Sequence, residues 1–145
     1  MKLNVPYYSQ FLDVEDKERM PKACAIACIK MAMEMHKEVP SVDNLFIQCE
    51  SSGGYGPSGW YHDALVSLAE EYGFFVERKE GMNMDDGVAF LKESLDGGNP
   101  VIVSVIKYIL GQTKFHMVLL TGYEENRGEI IGFYYHDPES INSGK

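Results

Sequence analysis

The amino-acid sequence predicts an α+β fold in which helices come mainly first and an antiparallel sheet comes last. Apolar residues recur at helical spacing through much of the first two thirds of the chain. Three strand patterns then follow one another after the Gly97–Gly98 pair. Separate runs of helices and strands are typical of the α+β class.

Four helices are predicted, most with a recognisable start or stop signal. The first opens at Cys24 behind Pro21, whose missing N–H costs little near a helix start. Ser41 caps the second helix, Gly73 ends the third, and the two glycines after Leu95 stop the fourth. The predicted ranges are 24–36, 41–49, 60–72 and 83–95, the last beginning at residue 83 or 85.

Three late strands are predicted at 100–108, 115–123 and 129–137, and an earlier one at 74–79. Residues 3–8 alternate weakly and predict a short edge strand or extended arm, because Pro6 cannot donate to a sheet ladder. Residues 51–59 hold four glycines and a proline, which predicts a loop that a packed core would not need.

Length and composition indicate one domain spanning residues 1–145, either a whole small protein or part of a larger one. Hydrophobic residues at 45% and charged residues at 24% are ordinary for a globular protein. The net charge of −9 excludes a nucleic-acid or anionic-membrane surface as the favoured partner. There is no signal-peptide pattern, and the longest apolar run, 100–106, is too short to span a bilayer.

The three cysteines match no zinc spacing, so we expect no metal and no other cofactor. Cys24 and Cys28 lie one helical turn apart, where a disulfide would strain the helix. A reducing compartment, and hence a cytoplasmic location, is the simpler interpretation.

A distant pair, Cys24 and His116, suggests nucleophilic catalysis. A thiol at a helix N-terminus beside an imidazole has a lowered pKa. If the last hairpin turns midway between Asn126 and Arg127, His116 lies directly opposite Asp137 and shares a sheet face with it. The carboxylate would then orient the imidazole, whereas a slip of one residue would separate them.

Each of these residues also has an ordinary structural explanation. His116 could be a satisfied histidine at a sheet edge, and Asp137, followed by Pro138, could simply start a turn. Cys24 could be a small buried apolar residue, as most free cysteines are. The functional interpretation depends on their joint occurrence in register.

The other thiols and imidazoles fit a catalytic role less well. Cys28 is expected to be buried one turn deeper, and Cys49 ends a helix, where the dipole disfavours a thiolate. His36 should be solvated and His136 should face away from Asp137. His62 begins the third helix, where the dipole disfavours imidazolium, so it is a candidate substrate contact rather than a base.

Acyl transfer also requires hydrogen-bond donors for an oxyanion. Gln10, in the N-terminal arm, can supply a side-chain amide, and the backbone N–H of Cys24 can supply a second donor. Without the cysteine, Gln10 would be taken for an ordinary polar surface residue.

The chain resembles papain-like cysteine peptidases of the bacteriocin-processing type, and more closely their stand-alone peptidase-like relatives. The best-known members of the type are the N-terminal domains of ABC exporters that cleave double-glycine leader peptides. The matching stretches run nearly from end to end: VPYYSQ at 5–10, CAIACIKM at 24–31, GWYH at 59–62, YGF at 72–74, NPVIV at 99–103, HMVLLTGY at 116–123 and HDP at 136–138.

The resemblance implies a papain-like fold in which N-terminal helices pack on a C-terminal antiparallel sheet. It also implies a catalytic set of Gln10 for the oxyanion, Cys24 as nucleophile, His116 as base and Asp137 as orienter. The chain departs from the family's pattern after the nucleophile, where Ala25 and Ile26 replace Gly followed by Pro or Ala. We expect the bulk of Ile26 to narrow the substrate cleft and favour small residues at the cleaved bond.

The leading functional hypothesis is therefore a cysteine peptidase or amide-bond hydrolase acting on a peptide or protein, alone or with a transport system. The glycine-rich loop with Gly59, Trp60 and His62 would form one wall of its cleft. Two alternatives stay open: a catalytically weak peptide-binding module of the same fold, and an acyl transferase that uses the same four residues.

Overall fold

The computed structural model describes residues 1–56, 59–76, 79–80, 82–109 and 112–139. Within them, no helix has both the length and the apolar character needed to traverse a bilayer. The elements in chain order are α1 (Cys24–Glu34), α2 (Val42–Ser51), β1 (Tyr55–Gly56), β2 (Gly59–Trp60), α3 (His62–Glu71), α4 (Met84–Asp96), β3 (Val101–Ile109), β4 (Gln112–Asn126) and β5 (Glu129–His136). The α+β class predicted from the sequence is confirmed.

Strands β3, β4 and β5 form one antiparallel sheet with β4 in the centre. Val101 of β3 pairs with Leu120 of β4, and Leu119 pairs with His136 at the end of β5. The β4–β5 ladder is irregular between Leu120 and Gly122 and again near the turn. The end of β5 therefore lies beside the middle of β4, a few residues from His116.

The predicted register of this hairpin was wrong by two residues. Leu120 pairs with Tyr135, not with Phe133. The turn consists of Arg127 and Gly128, which have φ angles of 52° and 83°, the positive pair that a tight two-residue hairpin turn requires. Its midpoint lies one residue later than predicted, and this shifts the pairing by two residues. Because successive side chains point to opposite faces of the sheet, a shift of two residues leaves each side chain on its predicted face.

Helix α1 is the buried centre of the molecule and contacts α2, α3, β3 and β4. Its interior residues are almost entirely inaccessible. They pack with α2 and α3 on one side, and with Met117 and Leu119 of β4 on another. Complete burial of one large apolar side chain, such as methionine or isoleucine, contributes about 1.5–3 kcal/mol to the free energy of unfolding. The helix that begins at Cys24 is thus held rigidly against the strand that carries His116.

The glycine-rich region differs from its predicted structure. Trp60 was predicted to begin the third helix, but it lies in β2, which pairs with β1 as a small antiparallel hairpin. The third helix begins at His62 instead. The strand predicted at 74–79 is absent from the described part of that range, and residues 77 and 78 lie outside the described residues.

The N-terminal arm extends the sheet beside β4, beyond the residue where β3 begins. Lys2 forms a bridge with Gly122, and the Leu3 N–H donates to the Thr121 carbonyl at 2.7 Å. A Cβ on Gly122 would lie 2.3 Å from the Met1 carbonyl oxygen and 2.7 Å from the Lys2 Cα. The glycine is therefore required for the close approach of two backbones.

We predict that Gly122→Ala lowers the free energy of unfolding by about 1–3 kcal/mol, because the arm's backbone must move to make room. Gly132→Ala is the matched control, since Gly132 lies in the same hairpin and its Cβ would meet nothing within 4 Å. Urea unfolding of both variants measures the difference. Equal stability of the two variants would contradict the packing argument.

Candidate active site

Cys24 is the first residue of α1 and follows a short 3-10 turn at Met20–Lys22. The residue before it, Ala23, offers no side-chain cap to the helix. The first N–H groups of α1 therefore stay available near the thiol, at the positive end of the helix dipole. The Cys24 side chain is partly exposed, so a reagent or substrate can reach it.

The other two thiols are in less reactive surroundings. Cys28 is fully buried one turn along α1, and burial raises the pKa of its thiol well above the usual value. Its sulfur lies 3.6 Å from the Met117 carbonyl oxygen, within hydrogen-bonding reach. Cys49 is also buried, and burial together with the charge of Glu71 raises its pKa. Cys24 is the accessible thiol of the three.

The structure brings His116 and Asp137 together. Their side chains meet at 2.7 Å between His116 Nε2 and Asp137 Oδ1. Because the register is shifted by two, the contact is diagonal across the end of the hairpin instead of directly opposed. Asp137 Oδ1 also accepts the Glu139 backbone N–H at 2.9 Å. The same Asp137 oxygen thus accepts the hydrogen bond that forms the turn and contacts the imidazole.

Cys24 is close enough to His116 to act on the pKa of its ring. Since Nε2 faces Asp137, Nδ1 is the ring nitrogen left for the thiol. Burial acts to lower the pKa of His116, but the interaction with Cys24, the hydrogen bond with Asp137 and the charge of Glu139 outweigh it and raise the pKa to about 9. The charged imidazolium is therefore favoured at neutral pH, as a thiolate–imidazolium pair requires.

Gln10 is almost entirely buried, which differs from the ordinary interpretation of a polar surface residue. Its side-chain NH₂ group donates one hydrogen bond to the Met20 carbonyl at 2.8 Å, so one N–H remains to serve another acceptor. The Gln10 backbone N–H donates to the Pro138 carbonyl at 2.7 Å. The residue is thus fixed between the turn before Cys24 and the turn after Asp137.

Tyr7 provides a second link between the arm and the end of β5, and the sequence alone did not reveal it. Its hydroxyl donates to the Asp137 carbonyl at 2.7 Å, and its ring packs edge-on against His136 at 5.4 Å between centroids. His136 Nε2 donates in turn to the Val5 carbonyl at 2.9 Å. The arm therefore holds the segment that carries Asp137 through both backbone and side chains.

The remaining histidines lie where the sequence placed them. His136 is buried and directed to the arm, so it does not share the Asp137 side of the strand end. His36 is exposed beyond α1, with its ring 6.1 Å from that of Phe74. His62 is exposed at the first residue of α3. No contact between His62 and Cys24 is found among the described residues.

Trp60 is anchored beside the turn that precedes the nucleophile candidate. Its indole N–H donates to the Lys22 carbonyl at 2.7 Å. Its ring packs edge-on against Phe46 and Tyr55, each at 4.9 Å between centroids. The β1–β2 hairpin, which contains the backbone of Gly59, is therefore fixed to the residues just before Cys24.

Two expectations about the cleft need correction. Ile26 is completely buried in the core, so its side chain does not line an open cleft or narrow it. At two glycines of the loop, the space that a side chain would need is filled by the protein's own atoms. A Cβ on Gly54 would lie 2.7 Å from Cys49, and one on Gly56 would lie 2.3 Å from the Tyr61 hydroxyl. These two glycines are explained by internal packing and not by the approach of a substrate backbone.

Glu139 is a neighbour of His116 that sequence reasoning missed. Its Oε1 lies 3.5 Å from Nδ1 of the ring, and its side chain is about one-fifth exposed, at 22%. The signal in the sequence is the acidic residue two positions after Asp137, because Asp-Pro-Glu turns back toward the strand end. The imidazole therefore has a carboxylate near each nitrogen.

The family model described as "Peptidase_C39 like family" matches residues 2–145 of the chain. The match covers nearly the whole sequence, including all seven stretches on which the resemblance was based. Searches of curated proteins and of solved structures gave no match.

We predict that iodoacetamide at pH 6 labels Cys24 before the other two cysteines. Cys24 has the helix N-terminus, the imidazole and solvent access, whereas burial raises the pKa of both Cys28 and Cys49. Peptide mapping by mass spectrometry over time measures the order. Faster labelling of either buried thiol would remove Cys24 as the candidate nucleophile.

We predict that Asp137→Asn slows alkylation of Cys24 at pH 7 by about tenfold, because the ion pair that holds and orients His116 is weakened. The amide keeps an oxygen for the Glu139 N–H but loses the charge that stabilises the imidazolium. Thermal unfolding serves as the control and should change little. An unchanged alkylation rate in a stably folded variant would show that Asp137 does not act on the Cys24–His116 pair.

Proposed function

This chain belongs to the Peptidase_C39-like family, and from its site we propose that it is a cysteine peptidase using Cys24, His116, Asp137 and Gln10. The family supports cysteine peptidase activity in general terms. The single observation that supports this catalytic set best is the His116 ring, which contacts Asp137 at 2.7 Å and whose pKa is raised by Cys24 as well as by Asp137. The proposal includes a papain-like fold and one domain over residues 1–145.

In the proposed first half-reaction, the Cys24 thiolate attacks the carbonyl carbon of a peptide bond. The carbonyl π electrons move to oxygen and form a tetrahedral oxyanion. His116 then donates its Nδ1 proton to the leaving amine as the C–N bond breaks, which leaves a thioester on Cys24. Because the pKa of His116 is about 9, the ring is protonated at neutral pH and can donate this proton when the amine leaves.

In the second half-reaction, neutral His116 takes a proton from a water molecule, which attacks the thioester. Collapse of the second oxyanion releases the carboxylic acid and returns the Cys24 thiolate beside the imidazolium. Asp137 keeps Nε2 as a hydrogen-bond donor throughout, so Nδ1 always faces the sulfur. The buried position of His116 limits competing contacts with water.

Gln10 and the Cys24 backbone N–H are the proposed oxyanion donors. The Gln10 side-chain amide is held by the Met20 carbonyl and its backbone N–H by the Pro138 carbonyl, and the second hydrogen of the side-chain amide is the one that would reach the oxyanion. A pre-aligned donor needs no reorganisation when charge develops on the carbonyl oxygen, and loss of one such donor typically costs 10²–10³ in kcat.

The proposed substrate is a peptide or protein with small residues at the cleaved bond. With Ile26 buried, this preference is supported by the family resemblance alone. Trp60, Gly59 and His62 are proposed as substrate-binding residues. Their support is the indole bond that fixes the hairpin beside Lys22 and the exposure of His62. The same proposal places the protein's action in the cytoplasm, where it would work with a transport system.

We predict that the protein cleaves members of a peptide library after glycine or alanine and that Cys24→Ala abolishes the cleavage. Cys28→Ala is the matched control, because it removes a buried thiol one turn away and leaves Cys24 in place. Product analysis by mass spectrometry gives the cleaved position. A profile led by aromatic residues or arginine would contradict the proposed preference.

The oxyanion assignment is tested in the same assay with Gln10→Ala. This variant should lower kcat by about 10²–10³ while leaving Cys24 alkylation nearly unchanged, because alkylation forms no oxyanion. Equal loss of both rates would mean that Gln10 supports the fold and not the reaction. Reactive Cys24 without cleavage of any peptide would favour the binding module or the acyl transferase, and transfer to an added amine would identify the latter.

A further inference from the structure

Lys22 is an exposed cation in the short 3-10 turn that leads into α1. It precedes Cys24 by two residues, so the Cα atoms of the two residues are at most about 7 Å apart. Its carbonyl accepts the Trp60 indole N–H at 2.7 Å, and its ammonium lies 5.4 Å from the centroid of the Tyr55 ring. The lysine therefore connects the start of α1 with the β1–β2 hairpin.

The Lys22 ammonium has a positive charge that the described part of the chain leaves unpaired, since it forms no ion pair there. By contrast Arg19, at the start of the same turn, pairs with Asp16 at 3.4 Å. The face of the Tyr55 ring attracts the ammonium on one side and leaves N–H donors for an oxygen anion on the other. This contact also restricts the lysine side chain, so less conformational entropy is lost when an anion binds.

A cation at this position matters because the chain as a whole is acidic, with 22 Asp and Glu residues against 13 Lys and Arg residues. The net charge of −9 opposes the approach of an anionic substrate. An unpaired ammonium close to the candidate nucleophile attracts such a substrate at short range. The anion that peptides carry is the carboxylate, at Asp and Glu side chains and at the C-terminus.

We propose, building on the proposed peptidase function, that Lys22 is a specificity-determining residue that binds a carboxylate of the substrate near the cleaved bond. The carboxylate belongs to an acidic side chain or to the free C-terminus of the peptide. Because an extended peptide advances about 3.3–3.6 Å per residue, the carboxylate lies within about three residues of the bond that Cys24 attacks. Tyr55 and Trp60 hold the lysine in place and do not select the charge.

The test compares two reagents that alkylate Cys24 and differ in charge: iodoacetate, which carries a carboxylate, and neutral iodoacetamide. Both are used at low ionic strength and about pH 8.5, where an ordinary exposed thiol also reacts. The ratio of the two rates cancels any change in the thiol itself. Lys22→Met should lower the iodoacetate-to-iodoacetamide ratio by about 3- to 10-fold. Lys22→Arg should restore the ratio, and added salt should reduce the difference between parent and variant.

Lys37→Met is the matched control. Lys37 is also exposed, and its ammonium lies 5.3 Å from the centroid of the Phe74 ring, but it follows the far end of α1. This variant should leave the ratio unchanged. An unchanged ratio in Lys22→Met, with thermal unfolding like that of the parent, would overturn the inference. Equal falls in both variants would also overturn it, because the effect would then be one of net charge.

Two pairs of peptides that contain a Gly–Gly bond identify the source of the carboxylate. One pair has Glu or Gln next to the two glycines and an amidated C-terminus. The other pair ends soon after the glycines in a free or an amidated C-terminus. The parent should cleave the charged member of one pair with the higher kcat/KM, and Lys22→Met should lose that preference. A parent that cleaves the neutral peptides equally well would overturn Lys22 as a specificity-determining residue.

These outcomes are separable from failure of the proposed function. Cleavage of none of the four peptides, with a ratio of alkylation rates that still depends on Lys22, would count against the peptidase and support the carboxylate site. The alkylation test requires neither cleavage nor an activated thiol, so it decides the role of Lys22 in either case.

Discussion

The contact between His116 and Asp137 is the interaction on which the rest of the site depends. It exists only because β5 ends at His136 and the chain then turns, so the carboxylate faces back toward β4. Hydrogen bonds hold that turn, both within it and between it, the end of β5 and the N-terminal arm. The ring is buried, and a charged imidazolium away from water needs a nearby opposite charge. Asp137 supplies that charge.

The sequence predicted the helices and the sheet well because their signals are local. Ser41 and Asn83 cap α2 and α4 through their side chains, as a cap pattern indicates. The pairing of His116 with Asp137 was anticipated for a more general reason. The turn was misplaced by one residue, which changes the register by two, and an even shift keeps side chains on their face. A turn misplaced by half a residue would have separated the two groups.

The features that the sequence could not supply are contacts between distant segments. Nothing local indicates that Gln10 is buried against Met20 and Pro138, or that Tyr7 reaches Asp137. Glycine is ambiguous in the same way. Gly54 and Gly56 allow a close approach, as glycines in loops often do, but the approaching atoms belong to Cys49 and Tyr61. A glycine in the sequence indicates that another group approaches the backbone closely at that position, but it does not indicate which group.

The electrostatics of the site then follow from the short turn after β5. Asp137 and Glu139 reach opposite nitrogens of one ring, so that turn contributes both an orienting charge and a charge at the edge that the thiol uses. The helix that begins at Cys24 and the turn that carries the two carboxylates are joined only through tertiary structure. Because the arm contacts both the turn before Cys24 and the turn after β5, movement of the arm would disturb the surroundings of Cys24 and of His116 at once.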